Sequence, residues 1–159
     1  MNIAEMQFDY SRMSLDIFVT GCNPPHCVGC HNSELWDFEV GYPYEVFMKN
    51  VKNRISSFSR VIDRVSIMGG EPLDQNLKDL KDLIERLDEA KDSKVELWLF
   101  TKYSLMTVKQ RLPAAMYKFD FIKCGKYDIN KTEGCVRQYG VLLASSNQKI
   151  YKKGVDYDD

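Results

Sequence analysis

Ser14–Thr20, SLDIFVT, runs without a break into Gly21–Trp36, GCNPPHCVGCHNSELW. A short apolar run that stops at a glycine reads as a buried β-strand. The following residues cannot extend it, because Pro24 and Pro25 carry no backbone donor and Gly29 loosens the chain, so the segment wraps as a loop. That loop holds Cys22, Cys27 and Cys30 within nine residues, and the chain's two histidines, His26 and His31, lie in it too. Thiolates converging from one loop at a strand end are the donor set of a soft metal centre. The spacing C-x4-C-x2-C leaves two forms open. One is structural zinc, with His26 or His31 completing a Cys3His tetrahedron. The other is a 4Fe–4S cluster held by three cysteines, with one iron left free to bind something else.

Outward from the loop, the pattern alternates between strand and helix. Phe47, Met48, Val51, Ile55 and Phe58 recur at helical spacing and predict a helix over Tyr44–Phe58. Val61–Met68 predicts a strand ending at Gly69-Gly70. Leu77, Leu80, Leu83, Ile84 and Leu87 predict a second helix, with Asp74 as its N-cap. A strand over Val95–Thr101, a helix over Ser104–Leu112 stopped by Pro113, and a strand over Phe119–Lys123 follow. Repeated β-α units of this kind build a mostly parallel sheet covered by helices. Four to six strands are too few for a closed eight-stranded barrel. The expected fold is therefore α/β, an open partial (β/α) barrel forming one domain over residues 1–159. Ligands of such folds bind at the carboxyl ends of the strands. Gly21-Cys22, Gly69-Gly70, Thr101-Lys102 and Cys124-Gly125 are expected to share that edge. The acidic tail, Val155–Asp159, is expected to fray.

The composition narrows the partners. With 22 basic and 23 acidic residues the formal net charge is -1, which gives no footprint for nucleic acid or an anionic membrane. The N-terminal residues MNIAEMQFDYSRM do not read as a secretory signal, and no apolar run approaches the roughly 20 residues a membrane-spanning helix needs. The expectation is a cytoplasmic protein in a reducing compartment, where clustered cysteines bind metal. The cysteine count of five is odd, which argues against a complete disulfide framework. Cys124 and Cys135 are expected to be inert thiols.

Three segments in order carry a resemblance. The cysteine loop with Gly29, Cys30, His31, Asn32 and Trp36 resembles the cluster loop of radical S-adenosylmethionine (SAM) enzymes. It is most similar to that of the enzymes that activate anaerobic (class III) ribonucleotide reductase. Met68-Gly69-Gly70-Glu71-Pro72-Leu73 looks like the family's Gly-Gly-acid-Pro motif at the end of the second strand. Ser145-Ser146-Asn147-Gln148-Lys149-Ile150 matches a Ser-x-Asn-Gln signature of the same group. The likeness extends from Asp9 to Tyr151. The chain departs from the family at two places. One residue more than the family's C-x3-C-x2-C separates Cys22 from Cys27, and Asp9-Tyr10-Ser11-Arg12-Met13 replaces a glycine-rich approach to the first strand.

The resemblance implies an oxidoreductase with one 4Fe–4S cluster on Cys22, Cys27 and Cys30 and with SAM on the open iron. Electron transfer into the sulfonium would give methionine and a 5′-deoxyadenosyl radical, which would generate a glycyl radical on a partner enzyme. A flavodoxin- or ferredoxin-like protein would supply the electron. The SAM contacts it implies are Gly29, Cys30 and His31 at the adenine, with Glu71 accepting from the ammonium and Gly69 and Gly70 allowing close approach. Thr101, Lys102, Ser146 and Asn147 would lie near the ribose or carboxylate. Two alternatives remain: a small radical SAM enzyme acting on a small molecule, of the deazaguanine-forming type, and a non-catalytic zinc-binding interaction module.

Overall fold

The alternation of Leu15, Ile17 and Val19 becomes a strand in the computed structural model, which describes residues 1–158 apart from the side chain of Lys52. The chain begins with β1 (Asn2–Asp9) and β2 (Ser14–Val19), an antiparallel pair. The two-residue β3 (Tyr42–Pro43) leads into α1 (Tyr44–Phe58). Then come β4 (Arg64–Gly69), α2 (Leu77–Ala90), β5 (Glu96–Phe100), α3 (Leu105–Arg111) and β6 (Phe121–Cys124). A small hairpin, β7 (Arg137–Gln138) with β8 (Val141–Leu142), precedes β9 (Lys149–Lys152).

The main sheet has seven strands in the order β3-β1-β2-β4-β5-β6-β9. β2, β4, β5 and β6 run parallel, each step joined by a helix as the β-α pattern requires, and antiparallel β1 and β9 flank this parallel centre. The sheet is an open series with β3 and β9 at its ends. Successive side chains of a strand point to opposite faces. Leu15, Ile17, Val65, Ile67, Leu97, Leu99 and Ile122 therefore face one side, where they pack with Val51, Ile55, Leu80, Leu83, Leu87 and Val108 of the three helices. Trp98 and Phe121 face the other side and form a second cluster with Val141, Leu143 and Ile150, brought there by the C-terminal hairpin and β9. In the same row across the strands, Asp16 is buried beside Ser14 and Ser66, and burial raises its carboxyl pKa against the pull of those hydroxyls and of Arg12.

The structure adds strands on both flanks of the parallel centre and corrects three expectations. Among the added strands, β1 pairs with β2, and its Met6 and Phe8 alternate with Glu5, Gln7 and Asp9 beyond an irregularity between Ile3 and Glu5. β4 starts at Arg64 rather than Val61, which is half exposed after the end of α1. Asn76, not Asp74, caps α2 by accepting from the Lys78 and Asp79 amides. The tail does not fray over its described residues: the Tyr157 hydroxyl donates to the Phe119 carbonyl, and the Lys152 amide donates to Asp156.

Parallel pairing brings the four strand ends to one edge. Gly70 N–H donates to the Val19 carbonyl, Glu71 N–H to Gly21, and Thr101 N–H to Lys123. Gly69 has φ +110°, and a Cβ there would stand 2.5 Å from the Val19 carbonyl oxygen; a Cβ on Gly70 would overlap the Gly21 carbonyl. These glycines are thus required by the close packing of β2 against β4. Gly69→Ala is expected to cost about 2–4 kcal/mol, from backbone strain plus overlap. A chemical-denaturation midpoint within error of the parent would contradict this.

Candidate metal centre and cofactor cavity

Cys22 follows β2 directly, and its loop is pinned at several points. Gly21 N–H donates to the Leu35 carbonyl and Cys22 N–H to the Trp36 carbonyl, which closes the loop back on its own start. The His26 ring stacks on Trp36 at 4.0 Å between centroids and 6° between planes, and its Nε2 donates to the Cys22 carbonyl at 2.7 Å. His26 thus braces the loop. His31 lies against Tyr127 at 5.0 Å.

The three cysteines open onto one cavity of about 470 Å³ at the carboxyl edge of the sheet. His31, Gly69, Gly70, Glu71, Thr101 and Lys102 line it with them, as do Asn32 and Trp36. Gly29 lies just outside: with φ +72° it faces Ile129, 3.1 Å from where a Cβ would stand. Ser146 and Asn147 are also outside it. Both are exposed, and Asn147 donates to the Lys126 carbonyl. From that segment Gln148 turns inward and lines the cavity, while Ser145 is buried and Gln148 accepts from the Ala144 and Ser145 amides.

Glu71 ties two strand ends together. Its Oε1 accepts from the Thr101 hydroxyl at 2.6 Å and the Leu73 amide at 2.9 Å, and its Oε2 accepts from the Lys102 amide at 2.7 Å. Burial raises its pKa, while those three donors oppose the rise. The Lys102 ammonium donates to Asp74 at 3.0 Å, to the Asn23 carbonyl at 2.6 Å and to Cys22 Sγ at 3.4 Å. Asp74 also accepts from the Asn23 amide and the Tyr103 hydroxyl, which with Lys102 hold its carboxyl below the usual range despite burial. Burial raises the Cys22 thiol, and Lys102 pulls it down.

Several cavity residues carry no motif in the sequence. Lys123 and Lys126 also line the cavity, and burial lowers Lys123 to about 8, its Nζ donating to the Gly125 carbonyl. Phe18, Met68 and Phe100 continue the cavity along the sheet as an apolar strip that ends at Arg12. Strand alternation alone would have placed Phe18 and Met68 on the face away from the helices. Cys124 is a core thiol on the helix-covered side, pushed up to about 12 by burial, and Cys135 lies elsewhere on the C-terminal segment.

Among the described residues, no group of three or more His, Cys, Asp or Glu side chains converges on a point that one metal ion would fill. Cys22, Cys27 and Cys30 line one cavity, and three thiolates are the donor set of an iron–sulfur group with three protein ligands. The chain belongs to the 4Fe-4S single cluster domain family, whose pattern matches residues 11–151. Two relatives are each named anaerobic ribonucleoside-triphosphate reductase-activating protein. The one from Pasteurella multocida (strain Pm70) is 29% identical over 144 residues, covering 86% of this chain and 85% of the relative. The one from Haemophilus influenzae (strain ATCC 51907 / DSM 11121 / KW20 / Rd) is 25% identical over 138 residues, covering 86% and 85%. No solved structure matches the chain. Among the described residues no helix is long and apolar enough to cross a membrane.

Proposed function

We propose that this chain is an iron–sulfur activase that cleaves SAM reductively and generates a glycyl radical on anaerobic ribonucleoside-triphosphate reductase. One observation carries the reading: Cys22, Cys27 and Cys30 share a cavity with the Gly69–Glu71 turn and Lys102, in a chain whose relatives bear the activating-protein name over most of its length.

In this reading Cys22, Cys27 and Cys30 would hold the cluster, and the cavity they line would take SAM. Bound there, the cluster would supply one electron to the SAM sulfonium, giving methionine and a 5′-deoxyadenosyl radical. The protein's own groups do the positioning. Glu71 Oε2 makes one hydrogen bond and retains acceptor capacity for an ammonium at the cavity wall. Lys123 and Lys126 line the same cavity and bring positive charge that suits a carboxylate. His31 and Tyr127 offer aromatic surface for a purine. The strip of Phe18, Met68 and Phe100 keeps water from the radical's path. The partner's glycine Cα–H would give its hydrogen atom to the deoxyadenosyl carbon there.

The sheet, read as a partial barrel open between its end strands, leaves an approach for another protein's loop. A flavodoxin- or ferredoxin-like donor would deliver the electron from outside, and the reducing cytoplasm is the compartment this chemistry needs.

Anaerobic reconstitution with iron and sulfide tests the reading. A brown protein with about four irons per chain is expected, and with reductant and SAM it should release 5′-deoxyadenosine and methionine in equal amounts. A colourless protein that retains zinc and leaves SAM intact would overturn it.

A further inference from the structure

Lys102 stands where the loop's longer first span meets the next strand end but one. An ammonium has three protons to donate, and all three are engaged: on Asp74, on the Asn23 carbonyl and on Cys22 Sγ. Asp74 holds the same loop residue from its other side by accepting from the Asn23 amide, and the Tyr103 hydroxyl fixes Asp74 in turn. The Lys102 side chain is only 15% exposed and that of Asp74 is fully covered, so the arrangement is shielded from solvent. Both polar groups of the Asn23 backbone, in the span that is one residue longer than in related loops, are therefore clamped beside the first cysteine.

With its donors engaged in this way, Lys102 has no proton to spare for a SAM carboxylate. Its proximity to Cys22 Sγ has a different consequence. The reduction potential of an iron–sulfur cluster depends on net charge and on hydrogen bonds to its sulfurs. A cation donating to one ligand thiolate stabilises the reduced, more negative state more than the oxidised one.

We propose that Lys102 is a positioning residue that raises the reduction potential of the cluster through Cys22, easing its reduction by the physiological donor. This rests on the cluster reading of Cys22, Cys27 and Cys30 but not on SAM or on the partner enzyme. The parent protein's iron content tests that underlying reading first and separately.

The experiment is a redox titration of the reconstituted protein without SAM, followed by electron paramagnetic resonance of the reduced cluster. Lys102→Met keeps the alkyl stem and removes charge and donors. Its ratio of reduced to oxidised cluster at a fixed solution potential is expected to fall about tenfold, which is 59 mV for one electron. Lys102→Arg, which keeps charge and donors, is expected to stay within about threefold of the parent. A fully loaded Lys102→Met protein with the parental ratio would overturn the proposal. If Lys102→Met folds but fails to load iron, Lys102→Gln is read in its place, since it keeps neutral donors without the charge. A loaded Gln variant with a lowered ratio supports the proposal. One at the parental ratio, or one equally unable to load iron, overturns it, because Lys102 would then only scaffold the loop.

Discussion

Cys30→Ala is expected to yield a folded, colourless protein that releases no detectable 5′-deoxyadenosine. The Cys30 side chain is partly exposed where it lines the cavity, and the residue's backbone amide donates to the Cys27 carbonyl. Removing a partly exposed thiol outside the core changes the stability of the metal-free chain by no more than about 0.5 kcal/mol. The loss should therefore appear in iron content and SAM cleavage while the thermal transition of the metal-free protein stays in place. Iron bound at the parental stoichiometry in Cys30→Ala would show that the cluster uses other ligands.

The second large effect falls on Glu71. Truncation to alanine leaves the Thr101 hydroxyl and the Leu73 and Lys102 amides facing a space with no acceptor, in a residue that is 1% exposed. Each buried donor left without a partner costs about 1–3 kcal/mol. Glu71→Ala should thus lose at least about 3 kcal/mol, lowering the melting temperature by about 6–12 °C for a domain of this size. Because the same bonds hold the end of β4 to the end of β5, cluster loading should fall along with SAM binding. A variant that melts with the parent, loads iron fully and merely binds SAM weakly would show that Glu71 acts on the ligand alone. In the sequence Glu71 reads as a ligand contact; its hydrogen bonds make it first a joint between strands.

That difference illustrates what could be read beforehand. The β-α alternation, the helix over Tyr44–Phe58 and the meeting of four strand ends at one edge follow from local patterns: apolar periodicity, glycines at strand ends and Pro113 after α3. The cysteines and Gly69 to Glu71 sit in ordered motifs at those ends, and Lys102 was reached only because Thr101-Lys102 marks a strand end. Lys123 and Lys126 were not, since nothing local distinguishes a lysine facing a cavity from one facing solvent.

Other misses came from long-range contacts. β1 and β9 join the sheet by pairing with β2 and β6, contacts between separate segments that neither segment announces by itself. Asp74 reads as a helix cap because its type and position suit one. Tyr103, Lys102 and Asn23, all remote in sequence, claim its carboxylate instead, and Asn76 caps the helix. The glycine pair was legible as a special position but not for its reason, since the space it leaves is filled by the backbone of Val19 and Gly21.

The most direct test of the central claim uses the partner. The reconstituted, reduced protein is mixed anaerobically with SAM and an anaerobic ribonucleoside-triphosphate reductase from the same source, and the mixture is frozen for electron paramagnetic resonance. The account predicts a glycyl-radical signal on the reductase that requires both SAM and this chain and is absent with Cys30→Ala. A competent reductase that gains no radical while SAM is cleaved would contradict the assignment of its partner, and no cleavage at all would contradict the assignment of its chemistry.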